Sequence, residues 1–220
     1  MVVDSVVAVS PTPPTLLQAE PTPLLFHSRD DATAPVVDTP EARLVGWKRI
    51  VLFALFFRPS GLRVVEGADT VFGSAFRSPA RDFGGWLGLY PFEWQPGWER
   101  SFEAIRGGLF VAPGLQSIIF NRFPSQVLDW ADTVAAWEFD KVIPAHLDAP
   151  VPADGRAWRK AFSFLEEKGP FPELGRMLGG SSGIEFLAED MVLLDEAEEG
   201  LVADGTILPR APLASRRSQK

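Results

Sequence analysis

Hydrophobic and polar positions along this chain alternate in blocks that mark out its elements. Residues 1–9 are rich in valine and read as a strand interrupted by Asp4. A Pro/Thr-rich connection, Pro11 to Pro23, follows. It leads to Leu24–Phe26, His27 and a polar turn at Ser28–Asp31. Thr39, Pro40 and Glu41 form a helix start, with a capping hydroxyl, a proline in the first turn and an acid at the positive end of the dipole. That helix is predicted to run to about Phe57 and stop before Pro59. After Ile50 it is apolar on almost every face, which predicts deep burial. Gly67–Pro79 fits no single template. Asp82–Trp98 carries six aromatics among glycines and prolines and reads as an ordered loop. Ser101 to Asn121 reads as two helical parts broken at Pro113-Gly114. Pro124 opens a helix whose Val127, Trp130, Ala131 and Val134 fall on one face. Lys141–Ala145 is predicted as a strand that delivers His146. Arg156–Lys168 is predicted as a helix ended by Gly169-Pro170. A Gly/Ser break at 179–183 precedes an acidic helix over Ala188–Ala203, and residues 208–220 are predicted to be a disordered tail.

Strand candidates separated by helices suggest an α/β layered sheet that is rich in helix. The two best strands lie far apart, so either strands around 62–76 escape the pattern or part of the sheet is absent from this chain. With 220 residues the chain is long enough for a sizeable core. A net charge of -8 argues against a nucleic-acid partner, since phosphate affinity rests on clustered Lys and Arg. There is no cysteine, which removes disulfides, thiolate metal sites and thiol nucleophiles. The longest apolar run, Ile50–Phe57, is far shorter than the ~20 residues of a transmembrane span. Neither a secretory signal nor a transit peptide is legible at the start, so a soluble protein is expected, of the cytoplasm or, only through the family resemblance given below, of a plastid.

Candidate chemistry is sparse. Asp4 and His146 sit at predicted strand ends, and both residue types ligate zinc, iron or manganese. Two ligands fall short of the three or four that a stable site needs. Asp148 could orient the imidazole of His146 from behind. The alternative is structural: Asp4 ends a strand, His146 bonds within a turn and Asp148 caps the next segment. No Gly-x-Ser-x-Gly elbow is present, and Gly84-Gly85 and Gly107-Gly108 lack phosphate-loop fingerprints. Gly107-Gly108 is expected inside a helix, where it would permit close packing. Phe83, Trp86, Tyr90, Phe92, Trp94 and Trp98 either line a pocket or plug the core, and packing is the commoner use of such clusters. Glu93 is the only acid between the first and last of those aromatics. Glu185–Glu199 reads as a solvated helix face.

The order VVDSVVAVSPTPP, PLLFHSRD, DTPEARLVGWKRIVLFALFFRPSGL, SFEAIRGGLFVAPGLQ, VLDWADTVAAWEFDKVIPAHLDAP and AFSFLEEKG resembles a domain-of-unknown-function family found largely in photosynthetic organisms and bacteria. That family looks like a degenerate metallo-β-lactamase fold, and the likeness runs from residue 1 to about 168. The resemblance implies a partial αββα sandwich, the second half of the domain only, followed by an extension over 169–207 and the tail at 208–220. It implies that Asp4 matches the bridging Asp and His146 the final His of the superfamily's metal site. The His-x-His-x-Asp-His loop occurs nowhere in the chain, and His27 falls where the superfamily has no standard ligand. No catalytic residue is therefore expected. Asp4 and His146 would be vestigial, with at most weak zinc, iron or manganese binding. Three functional expectations follow: a metal-poor binding or scaffold protein, a metal-dependent hydrolase that borrows ligands from a missing half or a partner chain, or a truncated fragment. A protein partner covering an exposed sheet or helix face goes with the last, in which half a sandwich would expose the Ile50–Phe57 helix and the first strand.

Overall fold

The computed structural model describes residues 5–82, 85–166 and 184–212. Among these it holds nine α-helices and two antiparallel two-stranded sheets, and no sandwich is identified. The helix-rich character expected from the pattern is present. In place of the expected layered sheet, most of the apolar runs are spent on helix faces. The chain divides into two compact units interleaved in sequence.

One unit comprises residues 10–106 with 186–193. Its first helices, α1 (Thr15–Ala19) and α2 (Thr22–Ser28), occupy most of the predicted Pro/Thr connection and the Leu24–His27 stretch after it, and the predicted polar turn follows α2. The prolines mislead because they stand at helix starts. Pro14 caps α1 and Pro23 lies in the first turn of α2, where a missing N–H costs nothing. Helix α3 (Pro40–Phe56) begins as predicted, with the Thr39 hydroxyl accepting the Ala42 N–H at 3.1 Å. It packs on α2 at close range. Gly46 makes this possible, because a Cβ there would lie 1.8 Å from the Leu24 carbonyl oxygen. Val51, Leu52, Leu55 and Phe56 are buried as expected, whereas Phe57 turns outward at φ 58° and ends the helix.

The ambiguous stretch resolves into β1 (Leu62–Val64) and α4 (Ala68–Arg77). The aromatic loop supplies β2 (Phe92–Trp94), antiparallel to β1 with Leu62 opposite Trp94. Both strands are too short for period-two alternation to register. Helix α5 (Glu99–Ala104) closes the unit with Phe102 fully buried.

The other unit comprises residues 1–9, 107–185 and 194–220. The expected strand over 1–9 reduces, among the described residues, to one bridge in which Val7 and Phe110 exchange backbone hydrogen bonds of 2.8 and 2.9 Å. The ladder does not extend because Gly107 and Gly108 stand at φ 106° and 152° just before the partner. This corrects the expectation that the glycine pair lies inside a helix. A Cβ added at either glycine would meet nothing beyond its chain neighbours within 4 Å, so backbone freedom is what the turn uses. Pro113 opens α6 (Pro113–Ile118) and does not break a helix.

Helix α7 (Pro124–Ala135) buries Leu128, Ala131 and Val134, and the predicted Val127 and Trp130 pack half-buried beside them. The predicted strand at 141–145 is limited to β3 (Lys141–Val142), paired with β4 (Val151–Pro152). Pro144 cannot donate to a ladder and Leu147 lies at φ 66°, so the chain leaves the sheet early. Helix α8 (Gly155–Lys160) is capped by Asp154, and a 3-10 turn at Ser163–Leu165 replaces the rest of the predicted helix up to residue 166. Its remainder, and the Gly/Ser break, lie outside the described residues. Val6, Ala8, Val111, Leu128, Ala131, Trp158 and Phe162 make the centre of this core.

Helix α9 (Ala188–Ala203) has the predicted bounds, and its residues up to 193 belong to the first unit and the rest to the second. Its acids are not all solvated. Asp190 and Glu198 are buried, which corrects the reading of a plain charged face. Residues 208–212 of the expected tail carry two contacts to the second unit's own segments. The Leu208 carbonyl accepts from Arg122, and the Ala211 N–H donates to Asn121.

Candidate functional site

Of the two residues singled out as metal ligands, Asp4 lies outside the described residues. His146 stands exposed on the 143–150 loop between β3 and β4. That loop runs beside the segment that follows Asp4, because the Asp148 N–H donates to the Ala8 carbonyl at 3.1 Å. Among the described residues no group of three or more His, Asp or Glu side chains is arranged to hold a metal ion.

Chemistry that the sequence did not announce lies in the unit of residues 10–106. Arg49, on the buried face of α3, is almost fully enclosed. Its Nη1 donates to the carbonyls of Ser28 and Arg29 at 2.9 Å each, and its Nη2 to Asp30 at 2.6 Å. The guanidinium carbon lies 5.0 and 4.7 Å from the ring centroids of Trp94 and Trp98. Arg29 is buried beside it, 4.8 Å from the Phe26 centroid and 4.2 Å from that of Tyr90. The Tyr90 hydroxyl donates to the Arg29 carbonyl at 2.8 Å, and burial pushes that phenol up to about 12. His27 stands within the same group of rings. Burial, followed by the Arg29 and Arg49 cations, pushes its imidazole down to about 4, so it is neutral at pH 7.

The aromatic segment is therefore mainly packing, but it also encloses two cations, through Tyr90, Trp94 and Trp98. Replacing Arg49 by lysine is expected to cost about 2 kcal/mol, the scale of hydrogen bonds to charged groups, because one ammonium cannot serve two carbonyls and a carboxylate as a planar fork does. Urea unfolding at pH 7 checks it, and an unchanged midpoint would refute the role given to the guanidinium.

A cleft of about 250 Å³ opens beside this cluster, lined by Asp31, Thr33, Ser74, Arg77, Tyr90 and Glu93 among others. Asp31 is occupied: one oxygen accepts from the Thr33 N–H and hydroxyl and from the Ala34 N–H, which hold its carboxyl below the usual range. Glu93 pairs with Arg63 across the β1–β2 ladder.

A second surface of the same unit is apolar. Phe72 and Phe76 on α4, and Trp86 and Leu87 in the turn that follows, are each more than half exposed. Trp86 and Leu87 stand at φ 52° and 57°, a left-handed backbone that costs side-chain-bearing residues roughly 1–2 kcal/mol each. Gly88 sets the turn against α4, since a Cβ there would lie 2.6 Å from the Ala75 carbonyl oxygen.

Sequence reasoning missed the two buried arginines, Arg29 and Arg49, and Arg122 as well, because charges default to the surface. The available signal was that Arg49, Leu52, Phe53 and Phe56 fall at i, i+3, i+4 and i+7 on an apolar helix.

Residues 1–164 match a family model described as a domain of unknown function (DUF4336). No curated protein and no solved structure matches the chain. Among the described residues no helix is long and apolar enough to cross a membrane.

Proposed function

The chain belongs to the DUF4336 family, and on that premise we propose that it is a binding or scaffold protein and not a catalyst. In this reading residues 1–168 are the second half of a metallo-β-lactamase-like domain and 169–207 an extension. Asp4 and His146 are remnants of its metal site, too few to fix an open-coordinated ion with an activated water. What supports binding is the apolar surface of Phe72, Phe76, Trp86 and Leu87. Strained backbone that holds a tryptophan and a leucine in solvent is retained where the exposed side chains have a use. The partner that suits it is a protein with its own apolar strip.

Two measurements test the proposal. Purified chain loaded with zinc, iron or manganese is expected to hold no stoichiometric metal and to turn over no phosphodiester, thioester or lactone. One metal per chain, lost in His146→Ala, together with turnover would overturn it. The double variant Phe76→Ser with Trp86→Ser is expected to keep the wild-type unfolding midpoint to within about 0.5 kcal/mol, as surface positions do. A loss above about 2 kcal/mol would make these rings core and remove the docking surface.

A further inference from the structure

Helix α4 turns outward a face of the kind that helices bury. Asp69, Phe72, Gly73 and Phe76 fall at i, i+3, i+4 and i+7, one stripe along the helix, and all four are exposed. The two rings are 55% and 75% exposed. The inner face is already used: Ala75 is buried, and the turn at Gly88 approaches its carbonyl oxygen closely. Gly73 is a gap in the outer stripe. Its backbone is ordinary helix, and a Cβ added there would meet nothing within 4 Å, so nothing within the unit calls for a glycine. A second helix crossing at that point would use the gap, because a missing side chain lets two backbones approach.

The two ends of this stripe carry opposite charges. Asp69 stands in the first turn of α4 and Arg77 in the last. Those signs suit the dipole of the helix itself. Neither side chain makes an ion pair or a hydrogen bond among the described residues. The two positions are about 12 Å apart along the axis, at ~1.5 Å per residue. An identical helix laid antiparallel, with a two-fold axis near Gly73, therefore brings Asp69 of each copy beside Arg77 of the other. The same operation sets the two pairs of phenylalanines against one another between those ends. Such a contact is self-complementary and closes at two copies. We propose that the chain pairs with a second copy of itself through α4, antiparallel about Gly73, with Trp86 and Leu87 widening the apolar contact. The inference rests on the docking surface described above and names its partner: the protein with a matching apolar strip is this same chain. Few side chains take part, so the dimer is weak and reversible, of the small transient class.

The test is sedimentation velocity on the full chain from about 1 µM to about 1 mM, the range in which weak association is read. Each chain carries a net charge of -8. The salt is therefore held at ~0.15 M, where a Debye length of about 8 Å screens the long-range repulsion. Wild type is expected to show a reversible monomer–dimer equilibrium. Asp69→Lys and Arg77→Glu, each at an exposed position, put like charges together at both ends, and each alone is expected to weaken the dimer at least about tenfold. Mixed one to one, these two variants restore opposite charges at both ends, and a dimer of the two is expected to return. Gly73→Gln, whose side chain has open space in the single chain, is expected to block the crossing and leave a folded monomer. A wild-type chain that stays monomeric throughout overturns the proposal. So does a dimer that survives both charge reversals, or a mixture of the two variants that stays monomeric. The docking surface itself fails separately, on the unfolding midpoint of Phe76→Ser with Trp86→Ser, which is read at concentrations where the chain is monomeric.

Discussion

Glu198→Ala is expected to destabilise the protein by about 3–5 kcal/mol, the scale for removing one partner of a buried ion pair. Glu198 accepts from Arg122, which is itself buried, and from Arg210. Arg122 also donates to the carbonyls of Ser117 and Leu208. Without the carboxylate a buried guanidinium keeps its charge and loses its counterion, and the 208–212 segment loses its anchor. Urea unfolding measures the loss, and a shift below about 1 kcal/mol would contradict the burial. Replacing both partners, Arg122→Met with Glu198→Leu, should recover most of it, because the cost lies in the unpaired charge.

The pH dependence has a definite sign. Hydrogen bonds from Arg210, and then from Arg122, hold the Glu198 carboxyl below its usual range, although burial works the other way. Its folded value is thus lower than its unfolded one. The stabilisation is complete above the unfolded value, near ~4.3, and is lost as pH falls through the folded value. The gap between wild type and Glu198→Gln should therefore be widest at neutral pH and narrow as pH falls below the ordinary carboxylate range.

Gly46→Ala is the second large effect. The new methyl carbon would lie 1.8 Å from the Leu24 oxygen, 2.6 Å from its carbonyl carbon and 2.9 Å from its Cα, all backbone atoms. No rotamer relieves that contact, so α2 and α3 must part. The cost is expected at the top of the ~1–3 kcal/mol overpacking range, even though alanine favours helix. Gly73→Ala in α4 is the matched control. Nothing lies within 4 Å of its added Cβ, so it should stabilise by up to about 1 kcal/mol. Equal effects at the two positions would mean that α2 and α3 are not in contact at Gly46.

The legible elements were those whose signals are local. The bounds of α3 and α9 and the buried face of α7 follow from caps and helical period. Elements fixed by distant partners were not legible. A valine-rich segment reads as a strand, but its ladder depends on Phe110 and on the glycines before it. Prolines that punctuate loops elsewhere begin α1 and α2 here. The buried charges were illegible for a related reason. Arg29 in His-Ser-Arg-Asp and Glu198 in an acidic run have the local signature of surface residues. Only tertiary contacts reveal that rings enclose one and arginines the other. For His146 the polar turn was legible, whereas the backbone bond that ties its loop to Ala8 joins segments about 140 residues apart and has no local signal.

The pairing of Val7 with Phe110 also sets an order of events during synthesis. Roughly a hundred residues separate the two, and at ~5–20 residues per second the apolar segment 5–9 emerges about 5–20 s before its partner exists. The Arg122 cluster waits longer still, until Glu198 and Arg210 have been made. Until Phe110 follows, the backbone of Val7 has no partner in the nascent chain, and the valines beside it stay unburied.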